Sequence, residues 1–188
     1  MRIVSGTAKG KKILLPVDKK TRPMKDLVRE SIFNILKHSN LLNKNLKNCL
    51  ILDLFSGTGS FGIEAISRGA KKVIFFEDYK PAKNLLIKNL NSLDFAKNAE
   101  VFDKNIYDKS SLKNLSDKFD LIFLDPPFKD DNLKKLLSSL FNSSILDSKT
   151  LIVMHRNKKS VDEFEKNFKI VREEIYGSSK IIFGFFNF

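Results

Sequence analysis

Apolar residues along the chain follow two rhythms. From Leu50 onward, short runs that are apolar throughout alternate with segments whose apolar positions recur every three or four residues. These are Leu50 to Leu54 then Phe61 to Arg68, Val73 to Phe76 then Lys80 to Leu93, Glu100 to Phe102, Leu121 to Leu124 then Leu133 to Phe141, and Leu151 to Met154. Strands buried on both faces read as continuous apolar runs, so the pattern predicts a parallel sheet wrapped by helices. The end of the chain differs. Phe168 to Ile175 and Lys180 to Phe186 flank Gly177-Ser178 and predict an antiparallel hairpin closing the sheet edge.

Ahead of this body, Ile3-Val4 and Ile13-Leu14-Leu15 flank a turn region from Gly6 to Gly10, the pattern of a short hairpin. A helix is predicted from Met24 to about Lys37, with Leu27, Ile32, Ile35 and Leu36 as its apolar stripe. Pro23 suits its first turn, and Arg29 and Glu30 fall off the stripe. The polar stretch Ser39 to Asn48 reads as a linker. The expected organisation is one compact domain in two parts, a hairpin and helix over residues 1–45 and the main body over residues 46–188.

Charge sharpens the picture. The 188 residues carry a net charge of +12, a field that favours a polyanionic partner. The first thirty residues hold nine basic side chains against three acidic ones, half of that net charge in a sixth of the chain. Arg2, Lys11, Lys12, Arg22 and Arg29 are therefore candidates for gripping nucleic-acid phosphates. The single cysteine, Cys49, cannot form an internal disulfide or build a cysteine metal site, and since it precedes an apolar strand it reads as a core filler. No apolar run approaches the roughly 20 residues that span a bilayer, and the N-terminus lacks a signal-peptide pattern. A cytoplasmic protein with no membrane partner is expected.

The chemistry lies at strand ends. In Leu52-Asp53-Leu54-Phe55-Ser56-Gly57-Thr58-Gly59-Ser60-Phe61-Gly62, glycines occupy the turn from a strand into a helix, with Asp53, Phe55, Gly57 and Gly59 as candidate cofactor contacts. Gly57, Gly59 and Gly62 satisfy the dinucleotide pattern, and Glu77 stands 18 residues beyond Gly59, where a ribose-binding acid belongs. A carboxylate at Asp53 would repel a pyrophosphate in that loop and attract the ammonium and sulfonium of S-adenosylmethionine. Asn105 and Ile106, after the third strand, offer polar and apolar contacts to an adenine. No residue stands out as a hydride-transfer partner for NAD.

Asp125-Pro126-Pro127-Phe128 follows the apolar run Leu121 to Leu124, at the sheet edge where ligands bind. Proline removes backbone donors and leaves carbonyls as acceptors. Asp125 and the Pro126 carbonyl can each accept one N–H of an exocyclic amine, and Phe128 offers a flat face to a flipped base.

These residues resemble a known family. Asp53 through Gly59, Glu77 and Asp125 to Phe128 resemble the cofactor and amine-methylation motifs of class I methyltransferases acting on exocyclic amines. Arg2-Ile3 with Gly6 and Gly10, Arg22-Pro23, Arg29-Glu30, Phe33-Asn34 and the closing Tyr176-Gly177 are similar to the bacterial 16S ribosomal RNA guanine-N2 methyltransferases. The resemblance spans nearly the whole chain. It implies a Rossmann-like α/β fold, a mostly parallel seven-stranded sheet with an antiparallel last strand, plus the small N-terminal extension. It also implies S-adenosylmethionine as cofactor, a guanine N2 of 16S rRNA in the small ribosomal subunit as target, a monomer, and no metal. Arg22, Arg29 and the early lysines would then touch RNA, and Phe33 would lie near the pocket. The tetrapeptide serves an adenine N6 amine equally well, so an adenine-N6 methyltransferase on DNA or RNA stays open, as does a non-catalytic RNA-binding assembly factor. Two departures stand out: His155, read as a strand-end histidine, where relatives often carry an acid, and Met24-Lys25 in place of two threonines.

Overall fold

The computed structural model describes residues 1–18, 23–108, 110–113, 115–127, 130 and 132–188. Seven strands form one sheet: β1 (Leu50–Leu54), β2 (Lys72–Phe76), β3 (Ala99–Phe102), β4 (Leu121–Leu124), β5 (Leu151–Asn157), β6 (Phe168–Tyr176) and β7 (Ser179–Phe186). Their order is β3-β2-β1-β4-β5-β7-β6. The pairs within β1 to β5 are parallel, and β7 runs antiparallel to both β5 and β6. The chain works outward from β1 to β3, then returns to the other side of β1 as β4. At that reversal the loops leaving β1 and β4 diverge, which opens a crevice above their carboxyl ends.

Helices α1 (Asp26–His38), α2 (Ser60–Ser67), α3 (Lys80–Ser92) and α4 (Leu133–Phe141) cover the sheet. Strand alternation divides the apolar side chains between two cores. Ile51 joins a core with Phe33 of α1, Phe61 of α2 and Leu86 of α3. Leu52 and Leu54 join the other, filled by Leu133, Leu136, Leu137 and Leu140 of α4. On the first face the rings of Phe33, Phe61 and Phe123 stack, with centroids 5.0 Å and 3.9 Å apart. Cys49 is buried, and burial pushes its thiol up to about 11, the behaviour of an inert filler.

The N-terminal segment folds back on itself with a single antiparallel bridge, Arg2 to Lys12, in place of two full strands. Gly6 presses against α2 so closely that a Cβ there would lie 1.8 Å from the Ser67 carbonyl oxygen. Helix α1 starts at Asp26, later than the sequence pattern predicts, because Lys25 is extended. Pro23 therefore precedes the helix. Leu27 is 64% exposed, and the buried face is Val28, Arg29, Ile32, Phe33, Ile35 and Leu36.

Candidate active site

The carboxyl ends of β1, β2 and β4 open onto a cleft of about 410 Å³. It is lined by Phe55 to Thr58 after β1, Glu77 and Asp78 after β2, Asp125 to Pro127 after β4, His155 of β5 and Ser179 of β7, with Pro23, Met24 and Lys25 ahead of α1. An adjoining cleft of about 200 Å³ shares Phe55, Glu77, Asp78 and Pro127 and adds Asn105, Ile106 and Tyr107.

The loop after β1 is left-handed at three places. Phe55, Gly57 and Gly59 have φ of +63°, +56° and +86°. For Phe55 this conformation costs about 1–3 kcal/mol, strain of the kind that collects at binding sites. A Cβ on Gly57 would meet nothing within 4 Å, whereas one on Gly59 would lie 2.4 Å from Leu86. The backbone at Gly57 is thus open to close approach, and at Gly59 the left-handed backbone favours glycine, with the Leu86 side chain lying against it.

Asp53 does not line the cleft. It is 1% exposed, with Oδ2 accepting the Gly62 N–H at 3.0 Å. Burial pushes its carboxyl well above the usual range, the Gly62 hydrogen bond opposes the shift, and the charges of Asp125 and Glu77 add to it. Glu77 is 9% exposed, and burial raises it too, against hydrogen bonds from the backbones of Tyr79 and Gly57. Its Oε2 accepts from Gly57 N at 2.6 Å and its Oε1 from Tyr79 N at 2.9 Å. The carboxylate is fastened to the glycine loop, and each oxygen keeps a second lone pair. Asp78 also lines the cleft, although strand alternation alone points it away, and accepts from Asn105 Nδ2 at 2.8 Å.

At the end of β4, Asp125 meets His155, whose Nδ1 lies 2.8 Å from Oδ1. The imidazole Nε2 lies 2.9 Å from Ser179 Oγ. The next residue, Arg156, sends Nη1 to the Pro127 carbonyl at 3.3 Å and Nη2 to the Asp130 carbonyl at 3.2 Å, with Asp162 Oδ1 2.9 Å from Nε. The Tyr107 hydroxyl donates to Asp130, joining this loop to the one after β3, and burial with that bond pushes the phenol upward.

The structure thus gathers Phe55, Gly57, Glu77, Asn105, Ile106, Asp125 and Pro126 around two joined clefts, with Asp53 and Gly59 in their support. Phe128 and Arg22 lie outside the described residues. Arg2, Lys11 and Lys12 are exposed. Arg29 is not: it is fully buried, held by Glu64, Asp26 and the Arg2 carbonyl, so it is an anchor of the N-terminal segment and cannot grip phosphates. Phe33, 1% exposed in the aromatic stack, does not line the cleft. Sequence reasoning missed Arg156 and Asn89. Asn89 is fully buried; its Oδ1 accepts from Leu14 N at 2.8 Å and its Nδ2 reaches the Thr58 carbonyl at 3.1 Å, which ties the N-terminal segment to the glycine loop. Its place on the inner face of α3 is the only signal. Among the described residues, no cluster of His, Cys, Asp and Glu could hold a metal ion, and no helix is long and apolar enough to cross a membrane.

Comparison with known proteins agrees with this fold. A family model described as conserved hypothetical protein 95 matches residues 1–185. Ribosomal RNA small subunit methyltransferase D of Haemophilus influenzae is 33% identical over 178 residues, covering 94% of this chain and 89% of that protein. The solved structure of Escherichia coli yhhF superposes with a TM-score of 0.80 at 30% identity, covering 100% of this chain and 98% of that one. An RNA methyltransferase from Salinibacter ruber in complex with S-adenosyl-L-homocysteine shares the fold, with a TM-score of 0.64 at 16% identity over 88% of this chain and 94% of that one.

Proposed function

Because the chain belongs to the conserved hypothetical protein 95 family and has a class I methyltransferase fold, we propose that it methylates the exocyclic N2 amine of a guanine in 16S rRNA, using S-adenosylmethionine. The observation that carries this reading is Asp125-Pro126 at the end of β4, on the same cleft as the Gly57 loop and Glu77. The electron pair of an exocyclic amine is delocalised into its ring. Two acceptors, one for each N–H, draw the nitrogen toward a tetrahedral shape and free that pair. Asp125 and the Pro126 carbonyl are these acceptors, and Asp125 accepts the proton the nitrogen finally gives up, or passes it to water.

The residues present fit the cofactor. The spare lone pairs of Glu77 suit two ribose hydroxyls, Asn105 and Ile106 suit an adenine, and the open backbone at Gly57 suits close approach. Carboxylates at Glu77 and Asp78 on the cleft suit an ammonium and a sulfonium and disfavour a pyrophosphate. When bound, S-adenosylmethionine supplies an electrophilic methyl group on sulfur. The exposed Arg2, Lys11 and Lys12 and the net charge of +12 suit a polyanion, and the Haemophilus relative's name points to small-subunit rRNA. Phe128 would stack on the flipped base.

Incubation of unmodified small ribosomal subunits with methyl-labelled S-adenosylmethionine, followed by nucleoside mass spectrometry, tests the proposal. N2-methylguanosine is expected. N6-methyladenosine in its place, or no label from a protein that binds the cofactor, contradicts it.

A further inference from the structure

The acceptors at the end of β4 are held from the neighbouring strand. β4 and β5 run parallel, in register from Leu121 and Leu151 to Leu124 and Met154. The next residues, Asp125 and His155, therefore fall side by side, and Arg156 follows on the opposite face of β5. His155 is buried, with one ring nitrogen on Asp125 Oδ1 and the other on Ser179 Oγ of the antiparallel β7. Arg156 is buried as well, its charge met by Asp162 at 2.8 Å, and its two terminal nitrogens reach the carbonyls of Pro127 and Asp130. The Pro127 carbonyl also accepts Asp130 N at 2.9 Å, so both its lone pairs are engaged.

We propose that His155 and Arg156 are positioning residues that decide which oxygens meet the substrate amine. His155 takes Oδ1 of Asp125 and leaves Oδ2; Arg156 takes the carbonyl of Pro127 and leaves that of Pro126. The proposal rests on the amine-methylation reading above. A carboxylate with no partner turns broadly about its last torsion and offers the amine a spread of geometries. A misplacement of about 1 Å at a reacting group costs about 100-fold in rate, so a fixed Oδ1 has a large kinetic consequence. Ser179 completes the brace. With hydrogen on Nδ1 toward Asp125, Nε2 accepts from the Ser179 hydroxyl, and the ring cannot turn without losing both bonds.

The test compares kcat, the KM for cofactor and the urea midpoint across variants. His155→Leu removes the donor at similar size, and kcat is expected to fall about 100-fold with cofactor KM unchanged. His155→Asn places an amide N–H where Nδ1 stood and is expected to recover to within about tenfold of wild type, whereas His155→Gln, which reaches toward Ser179, stays low. Arg156→Lys keeps a charge against Asp162 but reaches only one carbonyl, and about a tenfold fall in kcat is expected. Long-range nitrogen NMR of the wild-type protein, which depends on no variant, is expected to show His155 with hydrogen on Nδ1. A His155→Leu rate close to wild type, an Asn variant no better than Leu at equal stability, or a ring with hydrogen on Nε2 alone overturns the proposal. Rates are read as methyl incorporation. A wild-type product other than N2-methylguanosine therefore contradicts the guanine reading while leaving the comparison among variants intact.

Discussion

Arg29 and Glu64 meet inside the protein, both side chains fully buried, with the guanidinium Nε 3.5 Å from the carboxylate Oε2. Glu64 also accepts from the backbones of Val4 and Ser5, at 2.8 Å and 2.9 Å. The basic N-terminal segment is thereby tied to α2, the helix that begins at the glycine loop.

This pairing separates anchoring from RNA contact. Arg29→Met leaves Glu64 buried with one counter-charge fewer, and breaking a buried pair costs about 3–5 kcal/mol. Urea denaturation should show a loss of that order, and the salt dependence of RNA binding by the folded variant should stay as in wild type. An intact urea midpoint with a shallower salt slope would return Arg29 to the RNA surface.

The exposed lysines behave in the opposite way. Replacing Lys9, Lys11 and Lys12 together with Gln should leave stability within about 0.5 kcal/mol of wild type, as surface changes do. The slope of log affinity against log salt should fall by up to about 0.7–0.9 for each phosphate that is no longer neutralised. An unaltered slope would place the RNA surface elsewhere. Trimming the whole segment is the poorer experiment, because Ile3, Ala8 and Ile13 belong to the core.

Asp53 gives stability a pH dependence. Burial, with the charges of Asp125 and Glu77, raises its carboxyl well above the usual range. A raised acid holds its proton more tightly folded than unfolded. Its burden is absent below the ordinary carboxylate range, and grows as pH rises toward the raised value. Asp53→Asn keeps an oxygen for the Gly62 N–H and removes the charge. Urea midpoints should show it level with wild type in acid and more stable at neutral pH. A stability advantage that does not change with pH would contradict this account.

Glu77→Ala should weaken S-adenosylmethionine binding by about 1–3 kcal/mol, the scale of hydrogen bonds to a charged group. Isothermal calorimetry decides it, and Glu77→Gln, which keeps one acceptor for the Gly57 N–H, should fall between the two. Equal affinity of Glu77→Ala and wild type would remove Glu77 from the cofactor site.

Much of this was readable in the residues. The bounds of β4 and α4 follow from apolar runs, because strands and helices buried on this scale tolerate little else. Glu77 and Asp125 share a cleft because each ends a parallel strand of one sheet. The rest depended on partners far apart in sequence. Arg29 reads as a surface residue until Glu64, in another helix, is found to cover its charge. β5 outruns its apolar stretch because His155 and Arg156, both buried, find hydrogen-bonding partners in Asp125, Ser179 and Asp162, so polar residues can continue a buried strand. The pairing of His155 with Asp125 needs the strand register, which local pattern does not supply.

The most direct test of the central claim is single-turnover methylation of unmodified small subunits by wild type and by Asp125→Ala, with cofactor affinity measured in parallel. Loss of a group that acts at the reacting nitrogen predicts N2-methylguanosine from wild type, a rate lower by about 10²–10⁴ in the variant, and cofactor affinity largely kept. An Asp125→Ala rate equal to wild type would contradict the account.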